Sequence, residues 1–183
     1  MHVIAITGLI GSGKDSVAEY IIEKHGYQQI DFGNIAREFT KKTGREVTRK
    51  NIQKTRKELN VTHGKDIFSK EVINIIKKNN WQKIIITGFR HLEDLELIKE
   101  EFGNNLIFLS IKTDEKIRFE RLKKRSSPRD PSTLKEFQEQ ERNEEEIFDI
   151  KELMMMVNFI IDNSGTKEEL HNKIDVFMKD HSL

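Results

Sequence analysis

The chain contains no cysteine, and it has only two prolines and one tryptophan among its 183 residues. The lack of cysteine excludes disulfide bonds, thiolate nucleophiles and the common cysteine-based zinc sites. No apolar run approaches the length of a membrane span, because the longest ones have only the length of a strand. The first residues lead straight into such a run and lack the pattern of a secretory signal. We therefore expect a cytoplasmic protein without membrane contact.

The chain also has little net charge. Its 32 Lys and Arg residues nearly balance its 31 Asp and Glu residues, and the formal charge is +1. The whole molecule therefore has no strong electrostatic preference for nucleic acid or membranes. Locally the balance differs, since residues 37–57 hold nine Lys or Arg against two Glu. Such a segment is either a solvated helix face or a clamp for phosphate groups, so nucleic acid is not expected but stays open.

The most informative segment lies near the start of the chain. The apolar run at residues 3–6 leads into the sequence GLIGSGK at residues 8–14, and apolar residues with helical spacing follow. This order of strand, glycine-rich loop and helix is typical of a phosphate-binding loop, whose backbone N–H groups surround a phosphate chain. Lys14 is then expected to reach the β- and γ-phosphates at the positive end of the helix. The predicted nucleotide-binding residues here are Gly8, Gly11, Ser12, Gly13, Lys14, Asp15 and Ser16.

A second Gly-Lys-Asp sequence occurs at residues 64–66. It has no preceding strand and lacks the earlier glycine, so it predicts only a turn before a helix.

Five short β-rich runs alternate with helical stretches along the chain. They cover residues 3–7, 27–31, 83–87, 106–111 and 158–162. This alternation predicts a five-stranded parallel sheet that helices cover on both faces. Together with the phosphate-binding loop at residues 8–14, it predicts a three-layer α/β fold of the P-loop NTPase type. Ligands of such sheets bind beyond the carboxyl ends of the strands, so functional residues are expected just after each run.

The length suits one domain that spans residues 1–183. A helical insertion at about 33–80 is longer than a simple crossover needs, and we expect it to form an acceptor-binding lobe. A second interruption holds both prolines and separates two charged helices. It predicts a short lid at about 121–142.

Polar residues follow the second and third predicted strands. Asp31 is expected to act as a base or to orient the attacking oxygen, and it also suits a helix N-cap. Arg37, two turns into the next helix, could hold an anionic acceptor. Arg90 comes directly after the third strand and is the second candidate for acceptor binding.

Arginines also cluster after the fourth predicted strand. Arg121 and Arg125 are four residues apart and share one helix face, and Arg129 lies in the predicted lid. Phosphoryl transfer depends on positioning and charge neutralisation, and arginines that a closing lid delivers supply both while excluding water. Arg121 and Arg125 are therefore predicted catalytic residues, and Arg129 is a predicted substrate-binding residue.

With these motifs together, the chain resembles the P-loop nucleotide kinases, which include adenylate kinases, nucleoside monophosphate kinases and dephospho-CoA kinases. It is most similar to archaeal adenylate-kinase-related and dephospho-CoA-kinase-like proteins. The resemblance implies ATP and Mg²⁺ as cofactors and a small phosphorylated nucleoside as acceptor. It implies acceptor contacts for Arg37 and Arg90 and a lid-base position for Arg121 and Arg125. The segment with Asn163 and Gly165 is similar to the loop near the adenine.

The chain departs from this family pattern in two places. Asp15 follows the P-loop lysine where most P-loops have Ser or Thr, and the hydroxyl comes one residue later at Ser16. Thr87 stands where the family has an aspartate that helps to hold magnesium. Our hypothesis is that Asp15 supplies the missing carboxylate and that Ser16 completes the metal-binding pair.

Three functions are thus compatible with the sequence. The first is a nucleoside or deoxynucleoside monophosphate kinase. The second is a dephospho-CoA kinase, in which Asp31 would be the base for a ribose hydroxyl. The third is a nucleotide-dependent switch or RNA-associated ATPase, which the basic stretch at residues 45–57 and the missing strand-end aspartate support.

Overall fold

A computed structural model describes residues 1–125 and 130–183. Its five strands are β1 (His2–Thr7), β2 (Gln28–Asp31), β3 (Lys83–Thr87), β4 (Leu106–Lys112) and β5 (Phe159–Asp162). All pairings between them are parallel, and the strand order is β2-β3-β1-β4-β5. The predicted five-stranded parallel α/β sheet is confirmed, and each predicted strand matches an observed one within a residue or two.

Nine α-helices lie within the described residues. They are α1 (Lys14–His25), α2 (Phe32–Lys42), α3 (Arg49–His63), α4 (Ile67–Lys78), α5 (Leu92–Phe102), α6 (Glu115–Arg125), α7 (Leu134–Ile147), α8 (Ile150–Met155) and α9 (Lys167–Asp180). Helices α2, α3 and α4 all lie between β2 and β3, where the sequence predicts an insertion. The use of this segment as an acceptor lobe stays a prediction, as does the lid around the α6–α7 connection.

Alternating side chains of the central strands build one hydrophobic core on each face of the sheet. Val3 and Ala5 of β1 face the cluster beneath α2, α4 and α5, whereas Ile4 and Ile6 face the cluster beneath α1 and α9. All four side chains are fully buried. The near-continuous apolar strands thus reflect a sheet covered on both faces, as a three-layer fold requires.

The strand order determines where a ligand can bind. From β1 the chain passes to β2 and then β3 on one side, and β4 and β5 follow on the other side. The chain therefore reverses direction across the sheet next to β1, and the crevice for a ligand opens beyond the carboxyl ends of β1 and its neighbours.

A buried ion pair attaches the insertion to the sheet layer. Arg56 Nη2 of α3 donates to Asp94 Oδ1 of α5 at 2.6 Å, and the Asp94 side chain is fully buried. Burial raises the pKa of Asp94, and the neighbouring Arg56 guanidinium opposes that rise. Removing either partner would leave an uncompensated charge, so this pair ties α3 to α5.

Local sequence signals define several helix starts. Thr166 and Glu169 form a capping box at the start of α9. Asp66, the last residue of the second Gly-Lys-Asp sequence, occupies the N-cap of α4, and this sequence forms a turn as predicted. None of the described helices has the length and hydropathy for a membrane crossing.

Candidate functional site

The glycine-rich loop connects β1 to α1, and Lys14 is the first residue of that helix. Gly11 and Gly13 adopt φ values of 76° and 84°, in the left-handed region that favours glycine. A Cβ on Gly13 would overlap the side-chain amide nitrogen of Asn163. The loop conformation therefore needs glycine at position 13, and the N-terminus of α1 faces the crevice with its free N–H groups.

Two side chains from neighbouring strand ends hold the loop in place. The carbonyl oxygen of Ser12 accepts hydrogen bonds from Thr113 Oγ1 at 2.9 Å and from Asn163 Nδ2 at 2.8 Å. All three residues are buried. Asn163, which the family resemblance places near the adenine, therefore supports the loop through its side chain. Gly165 lies two residues further on, where a Cβ would collide with the Glu169 carboxylate of the capping box.

Arg118 of α6 is a further support of the loop. Its Nη1 donates to the carbonyl oxygen of Ile10 at 3.1 Å, and its Nε donates to that of Thr113 at 3.2 Å. The guanidinium also pairs with Glu141 of α7, and the Arg118 side chain is only 6% exposed. Arg118 therefore differs from the other arginines of its helix, because its charge is already neutralised inside the protein.

Two buried polar atoms at the loop have no hydrogen-bond partner within the described part of the chain. They are Ser12 Oγ and Arg121 Nη1. Arg121 Nη2 donates to the carbonyl oxygen of Asn163 at 2.9 Å, which turns the guanidinium toward the loop. Buried polar groups are nearly always paired, so these two atoms are suited to meet a bound anion.

Asp31 lies at the carboxyl end of β2. Its Oδ1 caps α2 by accepting the N–H of Asn34 at 2.8 Å, and its Oδ2 accepts the hydroxyl of Thr87 at 3.0 Å. Arg37 Nη2 lies 3.6 Å from Oδ1. The helix N-cap interpretation of Asp31 is thus confirmed, and the side chain also faces a basic group that could hold an acceptor.

Two glycines lie next to the Asp31 carboxylate. A Cβ on Gly88, whose φ is 81°, would lie 2.5 Å from Asp31 Oδ2, and one on Gly33 would lie 2.9 Å from Oδ1. Sequence reasoning missed Gly88. The available signal was its position, since a glycine directly after a buried strand marks close approach of another group.

Arg90 follows β3 but is paired away from Asp31. Its Nη1 lies 3.3 Å from Glu144 Oε2, and its guanidinium stacks 4.8 Å from the centre of the Phe148 ring. The side chain is 40% exposed. The partner residues at the end of α7 were not predicted, because they are distant in sequence and carry no motif.

The predicted lid arginines are only partly described. Arg125 Nε donates to Asp130 Oδ2 at 2.8 Å, and this hydrogen bond, with the nearby charges of Asp130 and Asp15, raises the pKa of Arg125. The contribution of Asp15 shows that Arg125 lies within electrostatic reach of the first turn of α1. Arg129 lies outside the described residues.

Asp15 and Ser16 lie in the first turn of α1, and both are exposed. Lys14 Nζ lies 4.0 Å from Asp15 Oδ1. A carboxylate and a hydroxyl with open oxygen atoms form a donor set that suits a hard cation such as Mg²⁺.

Sequence comparison agrees with this geometry. The AAA domain family matches residues 7–138. A UPF0200 protein of Thermococcus kodakarensis is 31% identical over 176 residues, which are 94% of each chain. The chain belongs to the UPF0200 family. A UPF0200/UPF0201 protein of Archaeoglobus fulgidus is 32% identical over 95% of this chain, and the match spans 54% of that longer relative.

Solved structures of kinases share this UPF0200 fold. A gluconokinase from Sinorhizobium meliloti superposes with a TM-score of 0.60 at 16% identity, covering 98% of this chain and 92% of that chain. Shikimate kinase from Acinetobacter baumannii, in complex with shikimate, gives a TM-score of 0.57 at 17% identity, with coverages of 100% and 96%. The resemblance to P-loop kinases is therefore confirmed at the level of the fold.

Proposed function

We propose that this UPF0200 protein is an ATP- and Mg²⁺-dependent kinase that transfers a γ-phosphoryl group to a small phosphorylated nucleoside or a related metabolite. One observation carries the proposal. A phosphate-binding loop with two unpartnered buried polar atoms and the carboxylate of Asp31 lie beyond the carboxyl ends of the same parallel sheet. A donor phosphate chain and an acceptor can thus meet in one crevice.

On the donor side, the loop N–H groups and Lys14 would hold the phosphate chain. Arg121 would use its free Nη1 to neutralise charge that develops on the transferred group, and Arg125 would assist from the end of α6. These roles require positioned charge and no covalent intermediate, as phosphoryl transfer does in general.

On the acceptor side, Arg37 and Arg90 would bind the anionic group of the acceptor, and Arg129 is a further candidate for substrate binding. Asp31 would orient the attacking oxygen or take its proton. The carboxylate retains lone pairs after accepting from Asn34 and Thr87, so it can accept one more hydrogen bond. For this role, Arg90 would have to break its ion pair with Glu144 and pair with the substrate anion instead.

Asp15 and Ser16 are the residues that would hold Mg²⁺ in this kinase. When bound, the ion would neutralise phosphate charge and fix the geometry of the donor. The adjacent carboxylate and hydroxyl in the first turn of α1 support this assignment.

Changing Asp15 to Asn is expected to raise the Mg²⁺ concentration needed for half-maximal turnover by about tenfold, as loss of a metal-holding group does. The measurement is a Mg²⁺ titration of ADP release, together with Mn²⁺ binding to the protein–nucleotide complex by electron paramagnetic resonance. Glu19→Gln, an exposed carboxylate on the same helix, is the matched control. An unchanged metal requirement in Asp15→Asn would show that Asp15 does not replace the missing aspartate.

The acceptor can be identified by measuring ADP release from Mg-ATP with a panel of compounds. The panel contains ribonucleoside and deoxyribonucleoside monophosphates, dephospho-CoA, shikimate and gluconate, with Lys14→Ala as the blank. We expect one class of monophosphates to stimulate turnover. Stimulation by dephospho-CoA or by a polyhydroxy acid would reassign the acceptor. ADP release that no compound of the panel increases would contradict the kinase proposal.

Dephospho-CoA kinase activity is the second candidate. The surroundings of Asp31 favour it, because a carboxylate that keeps a lone pair and is bordered by glycines suits a hydroxyl nucleophile. The alternative of a switch or RNA-associated ATPase keeps support from the basic segment, where Arg49, Lys50, Lys54 and Lys57 are exposed. Slow ATP hydrolysis without acceptor stimulation, combined with strongly salt-dependent RNA binding, would favour that alternative.

A further inference from the structure

Three side chains form a hydrogen-bonded line at the ends of β2 and β3. Gln29 Nε2 donates to Thr87 Oγ1 at 3.1 Å, and Thr87 Oγ1 donates to Asp31 Oδ2 at 3.0 Å. Gln29 and Asp31 are two residues apart on β2, so they point to the same face of the sheet. Asp31 pairs directly with Thr87 across the two strands. The sheet register itself therefore builds this line.

The direction of each hydrogen bond follows from the chemistry of the groups. An ionised carboxylate can only accept, so the single hydroxyl proton of Thr87 must point to Asp31. The Thr87 oxygen then has only lone pairs left for its other neighbour. Gln29 must present its NH₂ group, which is a donor, and this fixes the Thr87 hydroxyl in one rotation.

We propose that Gln29 and Thr87 are positioning residues that hold the Asp31 carboxylate in the orientation needed for phosphoryl transfer. This inference rests on the proposed function, in which Asp31 acts on the attacking oxygen. Thr87 thus has a definite use at the position where related kinases have an aspartate. Its hydroxyl supports the carboxylate of the neighbouring strand.

The remaining contacts of Asp31 show why the hydrogen bond from Thr87 matters. The N–H of Asn34 holds Oδ1 at 2.8 Å, and Arg37 stands 3.6 Å from the same atom. Thr87 is the partner of Oδ2. The glycines at positions 33 and 88 give this carboxylate no side-chain packing. Without the hydroxyl, the polar contacts of Asp31 with other described residues would therefore oppose rotation about its Cβ–Cγ bond only from the Oδ1 side.

The test compares Gln29→Leu, Thr87→Val and Thr87→Ser with the control Gln28→Leu. Gln28 is also exposed but points to the opposite face of β2. We expect kcat to fall about 10- to 100-fold in Thr87→Val and about tenfold in Gln29→Leu, with the KM values for donor and acceptor unchanged. Thr87→Ser, which retains the hydroxyl, is expected to stay within about twofold of the parent.

A second readout does not depend on turnover. In ¹³C-labelled protein without substrate, the side-chain carboxyl resonance of Asp31 is expected to move in Gln29→Leu and Thr87→Val but not in Gln28→Leu. An unmoved resonance in Gln29→Leu would overturn the proposal, as would an unchanged kcat. If the parent protein transfers phosphate to no acceptor but the resonance moves as expected, the proposed function fails while the hydrogen-bonded line stands.

Discussion

Replacing Lys14 with alanine is expected to reduce ADP release by about 10²- to 10³-fold, the cost of removing one preorganised charged group from a transition state. Lys14 begins α1 at the glycine-rich loop, and its only described ion pair is the 4.0 Å contact with Asp15. The 4.0 Å distance makes this a weak ion pair, so little electrostatic stabilisation is lost with the side chain. The thermal unfolding midpoint should therefore stay close to that of the parent, and calorimetry beside the ADP assay checks both expectations.

The chain offers a matched control for this change. Lys65 also follows a glycine and precedes an aspartate, but it lies in the turn before α4 and pairs with Glu93 at 2.7 Å. Lys65→Ala should leave ADP release unchanged, since the ion pair is exposed and contributes little to stability. Full turnover in Lys14→Ala would show that the glycine-rich loop does not bind the phosphate chain of the donor.

The sheet could be predicted from sequence because its signals are local. Runs such as Ile84, Ile85 and Ile86, bounded by polar residues, mark strands that are buried on both faces. The two Gly-Lys-Asp sequences could be told apart by whether a strand precedes them. The capping box of Thr166 and Glu169 is equally local. Each of these features is defined within a short stretch of chain.

The supports of the candidate site could not be predicted, because their partners are distant in sequence. Asn163 reaches Ser12 across 151 positions, and Arg118 reaches Glu141 across 23. On α6 the arginines appeared as one cluster, although packing separates them. Arg118 is buried against the loop and α7, whereas Arg125 remains exposed. Helix spacing gives the relative direction of such side chains but not which direction faces the protein.

The basic segment at residues 37–57 is a second case in which the sequence does not give the partners of the side chains. Its sequence permitted either a solvated face or a phosphate clamp, and the structure divides its residues between several uses. Arg45 pairs with Glu58 at 2.6 Å, Arg56 is held by the buried Asp94, and Arg37 faces Asp31. Only the last of these lies beside the candidate acceptor position. Charge density along the chain therefore overstates the number of groups available to a ligand.

Replacing Gly13 with alanine is expected to abolish nucleotide binding and to destabilise the fold. The new Cβ would overlap Asn163 Nδ2, which donates to the carbonyl oxygen of Ser12 at 2.8 Å. The clash would displace that support and distort the row of N–H groups at the start of α1. The increase in thermal midpoint that Mg-ATP gives the parent protein should disappear, because a ligand stabilises only the state that binds it.

Gly26→Ala is the control that separates the effect of the clash with Asn163 from the effect of backbone strain. Gly26 ends the same helix with a φ of 71°, close to the 84° of Gly13, but a Cβ there would meet nothing within 4 Å. Left-handed backbone alone costs about 1–2 kcal/mol for a residue with a Cβ. Gly26→Ala should therefore lose about that much stability and keep the full Mg-ATP shift. If Mg-ATP also raised the thermal midpoint of Gly13→Ala by the full amount, the glycine-rich loop would not be the nucleotide site.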